Sequence, residues 1–346
     1  MLRFLSAGES HGKALLAILE GMPAGLKVNK EQIDQQLKRR QAGFGRGGRM
    51  QIESDKAQIL CGLKRNITLG SPIGILIENK DSGIEELPRI ICPRPGHADL
   101  AGLLKYGFSD VRNVLERASA RETAARVGVG AICMMLLKEL GVSISSRVIM
   151  IGGETDVKKM CDKIVEARDK KDTVGGIFDV TIKGVPVGLG SYAQWDRRLD
   201  ARLSQVVISI PGIKAVELGL GSGYASKFGS ECHDAIYYTR KKGYFRKTNN
   251  AGGIEGGVSN GEPIVLRACM KPISTLMRPL DSVNITTRKP ARASIERSDI
   301  CAVESAGVVA ESCCAFVIAD TFLEKFGADS MGDIQQNYAA YRKRVR

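Results

Sequence analysis

The chain has 346 residues, 43% hydrophobic and 26% charged, with 51 Lys and Arg against 38 Asp and Glu. Enough apolar mass exists for a core, which excludes a disordered tail and fits one large domain or two intimately joined ones. The net charge of +13 fits a solvated surface, nucleic acid or a small polyanionic ligand, while one Trp and 5% aromatics leave few platforms for stacking bases.

In chain order, Val28–Arg40 reads as a helix with Asn29 as its N-cap. Ala57–Cys61 and Ile73–Ile77 read as antiparallel strands. Ser119–Leu140 reads as a helix that is apolar nearly all round, and Val148–Ile151 and Phe178–Ile182 as strands. Asp200–Ile210 reads as a helix, Ile236–Thr239 and Ile264–Ala268 as strands, and Ile300–Phe326 as a second all-apolar helix. Both apolar helices stop at a glycine, Gly141 and Gly327. Helices with so little polar surface are buried, here between sheets. Each follows a Glu-Arg pair, Glu116-Arg117 with Ser119 and Glu296-Arg297 with Ser298-Asp299. This suggests an internal two-fold repeat, with chance similarity of Ala-rich helices as the alternative. Gln41–Arg49, Asn249–Gly261 and Lys271–Arg292 read as long loops, and the whole as layered α+β rather than alternating βα units.

Nine cysteines without a C-x-x-C pair predict reduced thiols in a cytoplasmic protein and no zinc site. The apolar run Val308–Ala319 is broken by Glu311 and falls short of the ~20 residues of a membrane span. The opening Met1-Leu2-Arg3-Phe4-Leu5 reaches Gly and Glu too early for a signal peptide.

Of three histidines, two lie in glycine-flanked segments: Gly8-Glu9-Ser10-His11-Gly12 and Arg94-Pro95-Gly96-His97-Ala98-Asp99. Imidazole suits proton transfer near neutrality, and Asp99 is close enough in sequence to orient His97. A structural role is the alternative for each, and His233 reads as structural. Arg39, Arg40, Arg46 and Arg49 surround glycines that would let cations converge on one anion; a solvated helix face is the bland reading. Ser119 with Glu122 fits a capping box, and Arg117 and Arg121 beside a helix start also make an anion site. Asn249–Gly257 is glycine-dense without being a Rossmann or P-loop motif. A lone Arg46-Gly47-Gly48 offers weak support for RNA binding. These features fit an enzyme acting on a small polyanion by acid–base chemistry and do not name the reaction.

The chain resembles the chorismate synthase family. The motifs run in order over nearly its whole length: GESHG at 8–12, RRQAGFGRGGRM at 39–50, RPGHAD at 94–99, ERASARETAARV at 116–127, NNAGGIEGG at 249–257, KPIST at 271–275 and ERSD at 296–299. The resemblance implies one chorismate-synthase-like domain over 1–346. Its fold would be a layered β–α–β sandwich with central apolar helices and outer antiparallel sheets, assembled as a homotetramer. It implies conversion of 5-enolpyruvylshikimate 3-phosphate to chorismate and phosphate by 1,4-anti elimination with reduced FMN.

Carried over, His11 looks like the acid that protonates reduced flavin, His97 the acid that assists phosphate departure, and Asp299 the group that helps remove the ring proton. Arg40 and Arg46, with Arg39 and Arg49 assisting, would bind substrate. The flavin would meet Arg117, Ala118, Ser119, Pro211, Gly212, Gly256, Lys271, Pro272, Ile273, Ser274, Thr275 and Arg297. NADPH would enter only as reductant, through an external flavin reductase, and neither nucleic acid nor membrane is an expected partner. The segment between Ile77 and Arg94 is shorter than in many relatives. Glu255 stands where an apolar residue is common and is expected to point outward.

Overall fold

Alternation along Ala14–Glu20 and Ile73–Glu78 buries Leu15, Ala17, Leu19, Ile73, Ile75 and Ile77 on one face, as a half-buried sheet requires. In the computed structural model, which describes residues 1–47, 54–296 and 298–345, these strands are the middle of a four-stranded antiparallel sheet. Its order is Arg3–Ala7, Ala14–Glu20, Ile73–Glu78, Ala57–Cys61. A second antiparallel sheet is ordered Ser143–Ile151, Gly176–Lys183, Ile264–Met270, Ile213–Leu218. Numbered along the chain, each sheet runs first, second, fourth, third. Each also places a helix between its second and third strands, Lys30–Gln41 in one and Leu199–Ile208 in the other.

Two long helices lie between the sheets. Thr123–Glu139 packs on Ala14–Glu20 and Ile73–Glu78, Val303–Phe326 packs on Ser143–Ile151 and Gly176–Lys183, and the two helices pack on each other. Val303–Phe326 has 24 residues, and its most apolar 18-residue stretch has a mean hydropathy of 1.7, long and apolar enough to cross a membrane, yet 94% of that stretch is buried inside the protein. The apolar stretch is thus longer than the run Val308–Ala319 suggests. Glu311 does not break it, because that fully buried carboxylate is paired by Arg39 Nη1 and Nη2 at 2.7 and 2.9 Å and by the Ser146 amide at 2.7 Å.

Asn29 caps its helix, accepting from the Gln32 amide at 3.0 Å. The other expected cap takes a different form. Thr123–Glu139 is preceded by a 3-10 turn, Ala120–Glu122, and Ser119 Oγ accepts from the Arg121 amide at 3.2 Å. Glu122 turns to Ser6 Oγ at 2.8 Å and Arg126 Nε at 2.9 Å instead of closing a capping box. Two of the expected loops contain hairpins, Ile254–Glu255 with Val258–Ser259 and Asp281–Val283 with Pro290–Arg292.

The helix contact is close because Gly130 faces Ser312. A Cβ on Gly130 would lie 2.3 Å from Ser312 Cβ and 2.5 Å from its Cα. Gly130→Ala gains helix propensity of about 1 kcal/mol but forces the helices apart. A net loss of about 1–3 kcal/mol is expected from overpacking, read as a lower midpoint in urea or thermal unfolding; an unchanged midpoint would mean that the interface relaxes freely.

Candidate active site

Loops and helix ends from both halves of the chain supply the site. The segment after the first strand carries His11, and the helix Arg112–Ala118 carries Glu116. The His11 main-chain amide donates to Glu116 Oε2 at 2.8 Å, and His11 Nδ1 lies 3.0 and 3.1 Å from the two carboxylate oxygens. His11 Nε2 is 3.8 Å from Asp81. Glu116 is 2% exposed. Burial opposes its charge, but the ring and main-chain bonds from His11, with Arg112 nearby, hold its carboxyl below the ordinary value.

His97 has a similar partner. Its Nδ1 makes a short contact with Asp99, the first residue of the helix Asp99–Tyr106. Asp99 is fully buried and takes Arg94 Nε at 2.8 Å and Nη2 at 3.0 Å. Burial again opposes the anion, while His97 and Arg94 overcome it and hold the Asp99 carboxyl well below the usual carboxylate range. The orienting contact expected within RPGHAD is therefore formed. Arg94 Nη1 donates to Thr275 at 2.7 Å, and Lys271 Nζ donates to the Gly96 carbonyl, so the KPIST segment folds onto this turn. Burial, with Lys214 nearby, lowers the Lys271 ammonium.

The arginines divide. Arg40 is buried and donates to Thr123 Oγ1 at 2.9 Å, the Ala120 carbonyl at 3.1 Å and Asp55 at 3.4 Å. Arg121 Nη1 meets both Asp55 oxygens at 2.7 and 2.8 Å. Burial lowers the Arg40 guanidinium to about 10; Asp55 opposes this, and Arg121 and Arg46 add to it. Arg46 Nη1 pairs with Asp299 at 2.8 Å, and the Gly47 amide donates to the same carboxylate at 2.6 Å. A Cβ on Gly47 would come 2.8 Å from the Ser298 carbonyl, so a side chain there would push the two loops apart. Arg46 Nε is buried without a hydrogen-bond partner among the described residues. Arg39, one residue from Arg40, is committed to Glu311. Arg49 and Arg297 lie outside the described residues.

Arg117, Ala118, Ser119 and Pro211 line one cavity of about 540 Å3, walled on its apolar side by Val129 and Phe316. Arg117 also donates to the carbonyls of Gly8 and Ser6, each at 3.0 Å. The Gly212 carbonyl accepts from the Lys271 amide at 2.9 Å. Pro272 is exposed, Ser274 half-buried, and the Ile273 carbonyl accepts from Thr173 Oγ1 at 2.7 Å. Gly256 sits with Glu255 at the exposed tip of its hairpin, where a Cβ would meet nothing within 4 Å. Glu255 points outward and takes Arg246 Nε at 3.2 Å.

The chorismate synthase family profile matches residues 2–323. The chain belongs to the chorismate synthase family. It is 54% identical over 343 residues to a protein named chorismate synthase from Thermoanaerobacter pseudethanolicus, covering 98% of each chain. It is 54% identical over 348 residues to one from Caldanaerobacter subterraneus, covering 100% of this chain and 99% of that one. A solved structure, described as the crystal structure of chorismate synthase, superposes with a TM-score of 0.82 at 40% identity, covering 99% of this chain and 98% of that one. The mixed α+β fold with several antiparallel sheets is thus the fold of this family.

Sequence reasoning missed Asp55, Asn79 and the pairing role of Glu116. Asn79 accepts from Arg121 Nε at 2.8 Å. Glu116 stood inside a named motif, but nothing local marks Asp55 or Asn79.

The depressed carboxyl of Asp99 makes stability depend on acid. Its contribution is fully present above the unfolded value of about 4 and fades as pH falls toward the lower folded value. Thermal melting of the protein should weaken below about pH 4, and Asp99→Asn should flatten that acid slope; an identical slope in the variant would show that Asp99 carries none of it.

Proposed function

We propose that this chain converts 5-enolpyruvylshikimate 3-phosphate to chorismate and phosphate by 1,4-anti elimination, the last step of the shikimate pathway to aromatic amino acids. The observation that carries this reading is the full-length match, at 54% identity, to proteins named chorismate synthase. The geometry supports it. A substrate with one phosphate and two carboxylates needs several cations sheltered from water; Arg40 and Arg121 are buried and Arg46 is partly buried, its Nε without a hydrogen-bond partner among the described residues. Arg39 is half-exposed and held by Glu311, so substrate binding is assigned first to Arg40 and Arg46, with Arg49 included on resemblance alone.

The cavity bordered by Arg117, Ala118, Ser119 and Pro211 has the volume of a small-molecule site. Its polar rim and apolar wall fit a flavin, which is polar at one edge and apolar at the other. Gly212 and Lys271 to Thr275 would complete that side, and Arg297 and Gly256 are assigned to the flavin on resemblance alone. Reduced FMN, when bound, would lend the substrate electron density and take it back, so no net redox change results. His97 would give its proton from Nε2 to the departing phosphate, since Nδ1 is held by Asp99. His11 would hold the proton at the flavin side. Asp299 would help remove the ring proton after Arg46 turns from it to the substrate.

The fold is read as a β–α–β sandwich of two repeated halves. The shared first-second-fourth-third strand order and the matching helices support that reading. A homotetramer is proposed because the outer face of the first sheet exposes Leu5, Leu16, Ile18 and Leu60. The protein is placed in the cytoplasm, with NADPH acting only through an external flavin reductase and with neither nucleic acid nor membrane as a partner.

Anaerobic incubation with the substrate and chemically reduced FMN should release chorismate and phosphate in equal amounts, and oxidised FMN should give none. His97→Ala should lower turnover by roughly 10²-fold or more; near-normal turnover would remove His97 from the chemistry. Absence of product from wild-type protein that binds both ligands would sink the reaction.

A further inference from the structure

We propose that Glu116 is a positioning residue that fixes which nitrogen of His11 carries the proton, and that Arg112 and Glu296 hold Glu116 in place. The role rests on the reading of His11 as a proton-handling group. His11 and Glu116 are 105 residues apart, yet Glu116 binds the segment at three points. One carboxylate oxygen accepts from the His11 amide at 2.8 Å, the carboxylate accepts from Nδ1 at 3.0 and 3.1 Å, and the Glu116 carbonyl accepts from the Ser10 amide at 2.9 Å. A carboxylate only accepts, so it selects the tautomer with hydrogen on Nδ1.

That choice leaves Nε2 as the nitrogen that can exchange a proton with bound molecules. Nε2 has Asp81 at 3.8 Å as its carboxylate neighbour. The His11 carbonyl is held from the other side by the amides of Gly83 and Ile84 at 3.0 and 3.1 Å, so the main chain around the ring is fixed at both ends.

Glu116 is anchored in turn. Arg112, one helical turn before it, brings Nη1 to 3.8 Å of Glu116 and Nη2 to 3.1 Å of Glu296. Glu296 lies in the segment that leads to Asp299. The chain of contacts Glu296, Arg112, Glu116, His11 therefore ties the loop bearing one proposed proton carrier to the loop bearing another. His97 and Asp99 repeat the device on a shorter sequence separation, with Arg94 in the place of Arg112.

Glu116→Gln separates this role from bulk. The amide has one acceptor oxygen where the carboxylate has two, and two N–H donors, the His11 amide and Nδ1, now compete for it. If the oxygen stays on the main chain, the NH2 faces Nδ1 and forces hydrogen onto Nε2. The chain holds only three histidines, so 15N-histidine labelling, with His233→Asn for assignment, reads each tautomer by NMR above pH 8. Wild type is expected to show Nδ1–H at His11 and Glu116→Gln to show Nε2–H. Turnover should fall about 10- to 100-fold with KM changed by less than roughly threefold, and Glu116→Asp, which keeps both acceptor oxygens, should recover part of it. Persistence of Nδ1–H in Glu116→Gln, or wild-type turnover in that variant, overturns the proposal. The tautomer needs no turnover to be read. A wild-type protein that makes no chorismate while the tautomer still flips would therefore refute the reaction and uphold the contact.

Discussion

Arg40, Arg121 and Arg46 lie close enough for each charge to act on the next, and two carboxylates make that possible. Asp55 takes both nitrogen-rich ends of the first pair, and Asp299 takes the third. Without them, burial and mutual repulsion would drive these side chains outward. A site for a polyanion has to keep its cations in place before the anion arrives, and this one does so with internal counterions that a ligand can displace. Arg40 shows the cost: burial lowers its guanidinium to about 10, still charged at neutral pH.

The scaffold answers the same constraint. Charged groups can be buried at fixed spacing only if the backbone around them does not move, and the two central helices provide that rigidity through the close approach of Gly130 to Ser312. The 3-10 turn at Ala120–Glu122 delivers Arg121 to Asp55, and the helix that follows supplies Thr123 to Arg40. Lys30–Gln41 touches both central helices, which lets neighbouring residues serve different layers. Arg39 reaches Glu311 on one central helix and Arg40 reaches Thr123 on the other.

That pair marks the limit of what the sequence tells. Adjacent arginines look alike in a motif, yet a 100° step around the helix leaves Arg39 half-exposed with its tip on Glu311 and buries Arg40 at the site. Helices were legible because an apolar surface on every side and a terminal glycine are local signals. Strands were legible by alternation, but their order was not, since pairing joins segments as far apart as Gly176 and Met270. His11 and His97 were legible from their glycine-flanked settings. Asp55 was not, because a carboxylate becomes a counterion only when folding encloses it.

Distance along the chain also sorts the two histidine pairs. Asp99 could be matched to His97 by eye, two residues away, whereas Glu116 reaches His11 only once the first strand and the helix Arg112–Ala118 are packed. The longer pairing makes the proton position of His11 a consequence of tertiary structure. The pairing of Glu116 with His11 therefore needs the first sheet and the helix Arg112–Ala118 to be packed together, whereas Arg112 meets Glu116 within one helical turn. A change far from either histidine that shifts the helix Arg112–Ala118 would then be felt at Nδ1 of His11, because a hydrogen bond depends on angle as well as distance.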